Sequence, residues 1–237
     1  MSSSQQTINA KQRAALAAAS LVRSGMIVGL GTGTTATLII RALGDRIADD
    51  GLKFLAVPTS AETAELASSL SIPLRELDDV DTVDINLDGA DEIDFEFRMI
   101  KGRGGALLRE KIIVTAAKWR VTVITEDKRV TKLGLNAPIP VEVSPVGSRH
   151  TRRRLEALGA SAILRVRSDG EPVITDGGNR IIDCRFQEDL EPNSLNATLK
   201  QVVGVFETGL FLGLCDLLIV GTGDGIEQLE NPSSEWK

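Results

Sequence analysis

The stretch Met26-Ile-Val-Gly-Leu-Gly-Thr-Gly-Thr-Thr35 decides the fold. Met26 to Leu30 is short and apolar, the texture of a buried strand. Gly31 to Thr35 is a glycine–threonine turn, and Leu38, Ile39, Leu43 and Ile47 follow near helical spacing. A strand that hands a glycine turn to a helix opens an α/β unit. Working outward, Asn9 is placed to cap a helix from Ala10 to Arg23, with Gly25 as its stop. Phe54 to Val57 reads as the next strand, and Pro58-Thr59-Ser60 opens a helix with Glu62 in its first turn. Val83 to Leu87 is a strand ending at Asp88-Gly89-Ala90-Asp91, and Arg98 to Ile100 reads as a short one. Ala106 to Lys118 reads as a helix and Val121 to Ile124 as a strand. Strands alternating with helices predict a parallel sheet covered on both faces. Ligands of such sheets bind beyond the carboxyl ends of the strands. The turns after Leu30, Val57, Leu87 and Ile124 would all lie on that edge.

The texture changes near Leu133, where Asn136-Ala-Pro-Ile-Pro140 is a breaker segment. A strand (Val141 to Val143), a helix (Ser148 to Leu158) and β-rich runs (Ile163 to Val166, Val173 to Thr175, Arg180 to Cys184) follow. Asp176-Gly-Gly-Asn179 fits a hairpin turn, and Ser194 to Gln201 reads as a helix. Leu217 to Val220 returns to buried-strand texture. The expected division is a parallel-sheet domain, 1–132 plus 208–237, carrying a smaller α+β domain, 133–207. No internal repeat is present.

Composition narrows the chemistry. The chain has 237 residues, 42% of them apolar and 25% charged, enough for a large buried core. A net charge of −6 and 3% aromatics disfavour a nucleic-acid partner, which wants a basic face and stacking surfaces. The basic run Arg149, Arg152, Arg153 and Arg154 reads as a solvated helix face. His150 is the single histidine, so a histidine-rich metal site is excluded. Cys184 and Cys215 form no Cys-x-x-Cys pair. No apolar run is long enough for a bilayer, and Met1 to Gln6 is polar, without an apolar signal segment. The expectation is a cytoplasmic protein with no membrane partner; organelle targeting of a precursor stays open.

Four motifs carry possible chemistry. In Gly29-Leu-Gly31-Thr32-Gly33-Thr34-Thr35, backbone N–H groups and the start of a helix face an anion, and the threonine hydroxyls add donors suited to a phosphate monoester. The turn lacks the lysine of a nucleotide-triphosphate loop. Gly31-x-Gly33-x-x-Ala36 approaches the dinucleotide fingerprint, but that reading needs an acid after the second strand, where Pro58-Thr59-Ser60 stands. Asp88-Gly89-Ala90-Asp91 is either a solvated acidic loop or a carboxylate pair that handles sugar hydroxyl protons. The calcium-loop reading of Asp84 to Phe95 fails, because Phe95 occupies the position that requires Glu. Lys101-Gly102-Arg103-Gly104-Gly105 leads into a helix with Glu110 in its second turn, as a base or as an ion-pair partner on a wet face. Lys128, after the strand ending at Ile124, is an exposed lysine or a group that stabilises developing negative charge.

Together Gly-x-Gly-Thr-Gly-x-Thr, Asp-Gly-Ala-Asp-Glu, Lys-Gly-x-Gly-Gly-Ala-Leu-x-Arg-Glu-Lys and Val-Gly-x-x-Glu-x-Gly-Leu-Phe resemble ribose-5-phosphate isomerase, type A, from Lys11 to about Gly225. The resemblance implies a Rossmann-like domain with a small α+β domain inserted before its last strand. It implies interconversion of D-ribose 5-phosphate and D-ribulose 5-phosphate through an enediolate, in the pentose phosphate pathway, with no cofactor and no metal. It places the phosphate at Thr32, Gly33, Thr34 and Thr35 with Lys11 reaching in. Asp88, Gly89, Ala90 and Asp91 would bind the sugar, with the two aspartates assisting ring opening. Lys101, Gly102, Arg103, Gly104 and Lys128 would line the site, with Lys101 among its catalytic groups. Glu110 would be the base. A homodimer or homotetramer is implied as well. The sequence departs from the family at Thr34, where Ser is usual, and at Arg103, where Gly is common; an arginine there is strained if that position needs positive φ. The remaining alternatives are a sugar-phosphate sensor, which needs a DNA-binding segment that is not seen ahead of the first helix, and a nicotinamide enzyme, disfavoured by the missing acid.

Overall fold

A computed structural model describes residues 3–187 and 190–234; Met1 and Ser2, at the head of the polar Met1–Gln6 run, lie outside them. In chain order the elements are α1 (Ser3–Ser20), β1 (Ile27–Leu30), α2 (Thr34–Asp50), β2 (Leu55–Pro58), α3 (Ala61–Ser69), β3 (Val83–Gly89), β4 (Glu92–Ile93), β5 (Met99–Ile100), α4 (Leu107–Thr115), β6 (Ala117–Thr125), β7 (Ile139–Val143), α5 (Ser148–Ala157), β8 (Ala160–Leu164), β9 (Arg180–Phe186), α6 (Pro192–Lys200), β10 (Val205–Thr208), β11 (Leu210–Phe211), β12 (Leu217–Gly221) and β13 (Ile226–Glu230).

The chain divides into two compact units. The first is Met1–Ala90, Arg109–Arg129 and Gly213–Lys237; the second is Asp91–Leu108 and Val130–Leu212. Among the described residues the first unit holds a six-stranded sheet in the order β13-β12-β6-β3-β1-β2, parallel except for β13. Side chains alternate between its faces. Val28, Leu30, Ala56, Ile85, Leu87, Val121, Val123, Leu217 and Ile219 share one face with the alanine-rich stripe of α1 and the apolar stripe of α2. The close approach of α1 depends on small residues: a Cβ on Gly221 would overlap the Ala10 carbonyl and lie 3.3 Å from the Ala14 methyl. On the other face, Val57 packs with Ile113 of α4, in a cluster that also takes in Val83 at the start of β3.

Arg120 and Asp216 lock β6 to the start of β12. The Arg120 guanidinium donates to both Asp216 oxygens, at 2.8 and 2.6 Å, and the Arg120 N–H donates to Oδ2 at 2.8 Å. Burial alone would raise the Asp216 carboxyl. The hydrogen bonds from Arg120 and Ser234 outweigh it, and the net shift is downward.

The second unit carries a four-stranded antiparallel sheet, β10-β7-β9-β8, with α5 and α6 packed on it, and a three-stranded sheet, β11-β5-β4. The expected boundaries at 133 and 207 therefore shift, because the segment Asp91–Leu108 belongs here. β4 and β5 pair with each other, and β5 pairs with β11. The buried Glu92 carboxylate accepts the N–H groups of Gly134, Asn136 and Ala137 at 2.6, 2.5 and 2.6 Å, which ties the breaker segment to β4.

Other expectations are corrected by pairing. α1 starts at Ser3, seven residues before Ala10, so Asn9 is interior rather than a cap; the run ahead of it contains no helix breaker. α4 stops at Thr115 because Ala117 and Trp119 pair with Val83 and Ile85, so sheet pairing overrides the helical pattern of 116–118. β7 takes in Pro140, whose position lies beyond the pairing with β10 that ends at Val141. Val173 to Thr175 makes isolated bridges only, since Ile174 pairs with Arg180 alone. The basic residues of α5 are exposed, as the solvated-face reading requires. Cys184 and Cys215 are buried and free, their thiols pushed up to about 12 chiefly by burial.

Asp216 dates the acid unfolding of the first unit. Its folded pKa is depressed, so its contribution is present above the unfolded carboxylate value of about 3.9 and is lost as pH falls through the lower folded value. The urea midpoint of the wild type should fall between pH 5 and pH 3, and Asp216→Asn should remove part of that fall. Asp216→Ala should cost about 3–5 kcal/mol at pH 7, because Arg120 loses its buried partner.

Candidate active site

Register places the chemistry. Gly29 of β1 lies beside Asn86 of β3, and Leu30 beside Leu87. A Cβ on Gly29 would sit 2.5 Å from Asn86 Oδ1, and one on Gly31 would overlap the Asp88 carboxylate. These two glycines are thus cross-strand partners of polar side chains before they are turn residues. Asn86 and Asp88 point to the α4 face. The Asp88 carboxylate accepts the N–H of Gly89 at 2.7 Å.

Glu110 reaches the same face and the same edge. α4 ends two residues before β6 begins, so it runs down toward the amino ends of the strands and its first turn lies near their carboxyl ends. Ile113 Cγ2 packs 3.0 Å from the Cβ position of Gly29. Glu110 is on the same side of the helix, three residues and about 4.5 Å nearer the carboxyl edge. It is 4% exposed. Its place is the first turn rather than the second, because the helix begins at Leu107.

The opposite face carries the glycine–threonine turn. Gly33 has φ 96° and precedes α2 without a side-chain cap, so the first-turn N–H groups of this helix are left for another acceptor. Lys11 of α1 donates to Thr34 Oγ1 at 3.1 Å. Thr35 packs over Gly89, whose Cβ would come within 3.2 Å of the threonine Cβ. Lys128 ends the short turn Glu126–Lys128 after β6, half-buried, its Nζ 3.7 Å from Asp127 Oδ2. The first unit therefore gathers Lys11, the Gly31–Thr35 turn, Asp88, Gly89, Glu110 and Lys128 along one sheet edge. The Thr32 hydroxyl lies in a cluster with Ser60 Oγ at 2.9 Å and Thr59 Oγ1 at 2.7 Å. No carboxylate follows β2, where the residues are Thr59 and Ser60.

In the second unit, Asp91 Oδ2 accepts the Arg103 N–H at 2.9 Å. Lys101 is buried, with Nζ 5.4 Å from the centre of the Phe211 ring. Gly102 has φ 110° and packs on Leu107 and Pro140. Arg103 is unstrained: among the described residues the non-glycine positive φ values belong to Ser71 and Phe97. Arg165 escaped the sequence reading. It donates to the carbonyls of Gly102 and Arg103 at 2.8 and 3.0 Å while its guanidinium pairs with Asp183. An arginine inside a β-rich run gives no sequence signal for that task. Among the described residues no group of three His, Cys, Asp or Glu side chains could hold a metal ion, and no helix is long and apolar enough to cross a membrane.

Residues 55–225 match the family model described as ribose 5-phosphate isomerase A (phosphoriboisomerase A). The chain belongs to this family. A relative from Thermomicrobium roseum, named ribose-5-phosphate isomerase A, is 48% identical over 225 residues, 94% of each chain. The solved ribose 5-phosphate isomerase A of Methanocaldococcus jannaschii superposes with a TM-score of 0.90 at 41% identity, covering 94% of this chain and 99% of that one. A solved D-ribose-5-phosphate isomerase in complex with phospho-erythronic acid gives 0.91 at 38% identity, with the same coverage. These matches give the chain the fold of the family, an α/β Rossmann-like architecture with an additional domain.

The glycine pairing has a measurable consequence. Gly31→Ala should lower stability by about 1–3 kcal/mol through overpacking against Asp88. Calorimetry checks this, and Gly223→Ala, which meets no atom within 4 Å, is the control.

Proposed function

We propose that this isomerase-family chain interconverts D-ribose 5-phosphate and D-ribulose 5-phosphate, with Glu110 as the proton-transferring base. The observation that carries the reading is a buried carboxylate, Glu110, sharing the carboxyl edge of one sheet with an uncapped helix start and its lysine. The helix start and Lys11 would hold the 5-phosphate, and Thr34 and Thr35 would add hydroxyls. Asp88 faces the Glu110 side of the sheet, where it would accept and return the ring hydroxyl proton as the furanose opens. The Glu110 carboxylate then takes the C2 proton. The electrons of the C2–H bond form a C1=C2 bond and leave O1 as an oxyanion. As O1 is protonated and O2 gives up its proton, Glu110 returns its proton to C1 and the carbonyl is left at C2. Such a step balances without a redox partner. Lys128 would stabilise the oxyanion. Asp91, Lys101, Gly102, Arg103 and Gly104 are assigned to the substrate by family resemblance, as are a dimeric or tetrameric state and a cytoplasmic location.

The ligand of the 38%-identical relative supports the reading by its chemistry. Phospho-erythronic acid carries a phosphate at one end and a planar, negatively charged carboxylate at the other, the shape and charge of an enediolate.

The test is ribulose 5-phosphate formation by EDTA-treated protein. Glu110→Gln should lower kcat by about 10²–10⁴-fold and leave substrate binding intact. A near-normal kcat would remove Glu110 from the role, and a wild type that binds ribose 5-phosphate without converting it would overturn the isomerase reading. Asp88→Asn should slow the cyclic substrate more than the open-chain form.

A further inference from the structure

The turn Gly31–Gly33 has little stiffness of its own, because it has glycine at both ends. Its shape is imposed by a hydroxyl cluster from the β2–α3 connection. Leu30 O accepts both the N–H and the hydroxyl of Thr59, at 3.0 and 2.9 Å. Gly31 O accepts the Thr63 hydroxyl at 2.8 Å. Ser60, the N-cap of α3, donates its hydroxyl to Thr63 Oγ1 at 3.0 Å and accepts the Thr63 N–H at 3.1 Å. Thr59, Ser60 and Thr63 are all buried.

Counting protons decides what the turn can offer. The Thr59 and Thr63 protons go to the carbonyls of Leu30 and Gly31, and the Ser60 proton goes to Thr63. The Thr32 proton remains within the cluster on Ser60 or Thr59. Only oxygen lone pairs would then face a phosphate from the Thr32 hydroxyl, which repel it. The backbone offers the opposite. In a trans peptide the N–H points away from the preceding carbonyl, so fixing Gly31 O on Thr63 turns the Thr32 N–H away from the cluster. Gly33 O accepts the Thr37 N–H and hydroxyl at 2.9 and 3.1 Å, which likewise turns the Thr34 N–H out of the helix start.

We propose that Thr59, Ser60 and Thr63 are positioning residues for phosphate binding: with the Gly31 N–H held by Leu87 O at 3.0 Å, their hydroxyls fix the carbonyls of Leu30 and Gly31 so that the turn presents the Thr32 N–H to the ligand. The inference rests on the isomerase reading only in taking the turn as the phosphate site. It is tested with Thr63→Val, which keeps the shape and removes the hydroxyl, and Thr63→Ser, which restores it. The measurements are kcat, KM for ribose 5-phosphate, and the inhibition constant of inorganic phosphate. Loss of one such hydrogen bond should raise KM and the phosphate constant about three- to tenfold, with kcat within about twofold, and Thr63→Ser should return both to wild type. Thr59→Val is read in the same way, so poor folding of one variant leaves the other decisive. Folded valine variants with wild-type phosphate inhibition, whatever their melting temperatures, would overturn the proposal while leaving the isomerase reading standing. A wild type that converts ribose 5-phosphate but is not inhibited by inorganic phosphate would overturn the proposal alone, and a wild type without isomerase activity would overturn the reading on which it rests.

Discussion

Two missing side chains, one on β1 and one just past its end, set the geometry on which the site depends. Asn86 and Asp88 are polar residues on a strand buried on both faces, and there is room for them only because Gly29 of β1 and Gly31 after it carry no Cβ. A parallel sheet in this position normally reads as continuous aliphatic sequence. Here the interruption by Asn and Asp is matched, residue for residue, by glycine on the neighbouring strand. The pairing directs Asp88 to the α4 side, and α4 brings Glu110 to the same side and height. The glycine–threonine turn begins at Gly31 itself, so one strand end serves both the carboxylate face and the face proposed for the phosphate.

The second unit solves a different problem, that of holding irregular backbone. Glu92 satisfies three loop N–H groups, and Arg165 satisfies the carbonyls of Gly102 and Arg103. Each is a charge-assisted contact from an ordered strand region to a loop, stronger than a neutral hydrogen bond. Such contacts fix a glycine-rich segment that propensity would leave open. The hydroxyls beside the Gly31–Gly33 turn do the same with neutral groups, where an added charge would alter the electrostatics of the proposed phosphate site.

Much of the first unit was legible because strand and helix periodicities are strong there: Met26–Leu30, Val83–Leu87 and the Ser60 cap fall close to β1, β3 and the start of α3. What pairing or tertiary contact decides was not. The 116–118 run is helical in pattern and became strand because β3 was available to it. β13 reads Ile-Glu-Gln-Leu-Glu and is largely exposed, so no buried pattern marked it. Asp91–Leu108 looked like a link within the first domain and instead forms a hairpin with β11 as its partner. In the candidate site, the glycine–threonine turn and the acidic motif were visible as motifs, whereas Pro58-Thr59-Ser60 was legible only as the opening of a helix, and Thr63 carried no signal. That Ser60 and Thr63 also fix the Gly31–Gly33 turn needs the β1–β2 register, which brings Leu30 beside Pro58.

The packing of Gly221 against Ala10 joins elements from opposite ends of the chain, α1 and β12. During synthesis, α1 emerges well before β12, the strand that brings Gly221 against it. β6 can pair with β3 early, but its other edge stays open until β12 arrives. The first unit is thus rich in contacts between distant parts of the chain, and the part of the alanine stripe that packs on Gly221 waits for β12. An alanine surface is well suited to that delay. It buries closely once the glycine is present, yet offers little apolar area to stray partners beforehand.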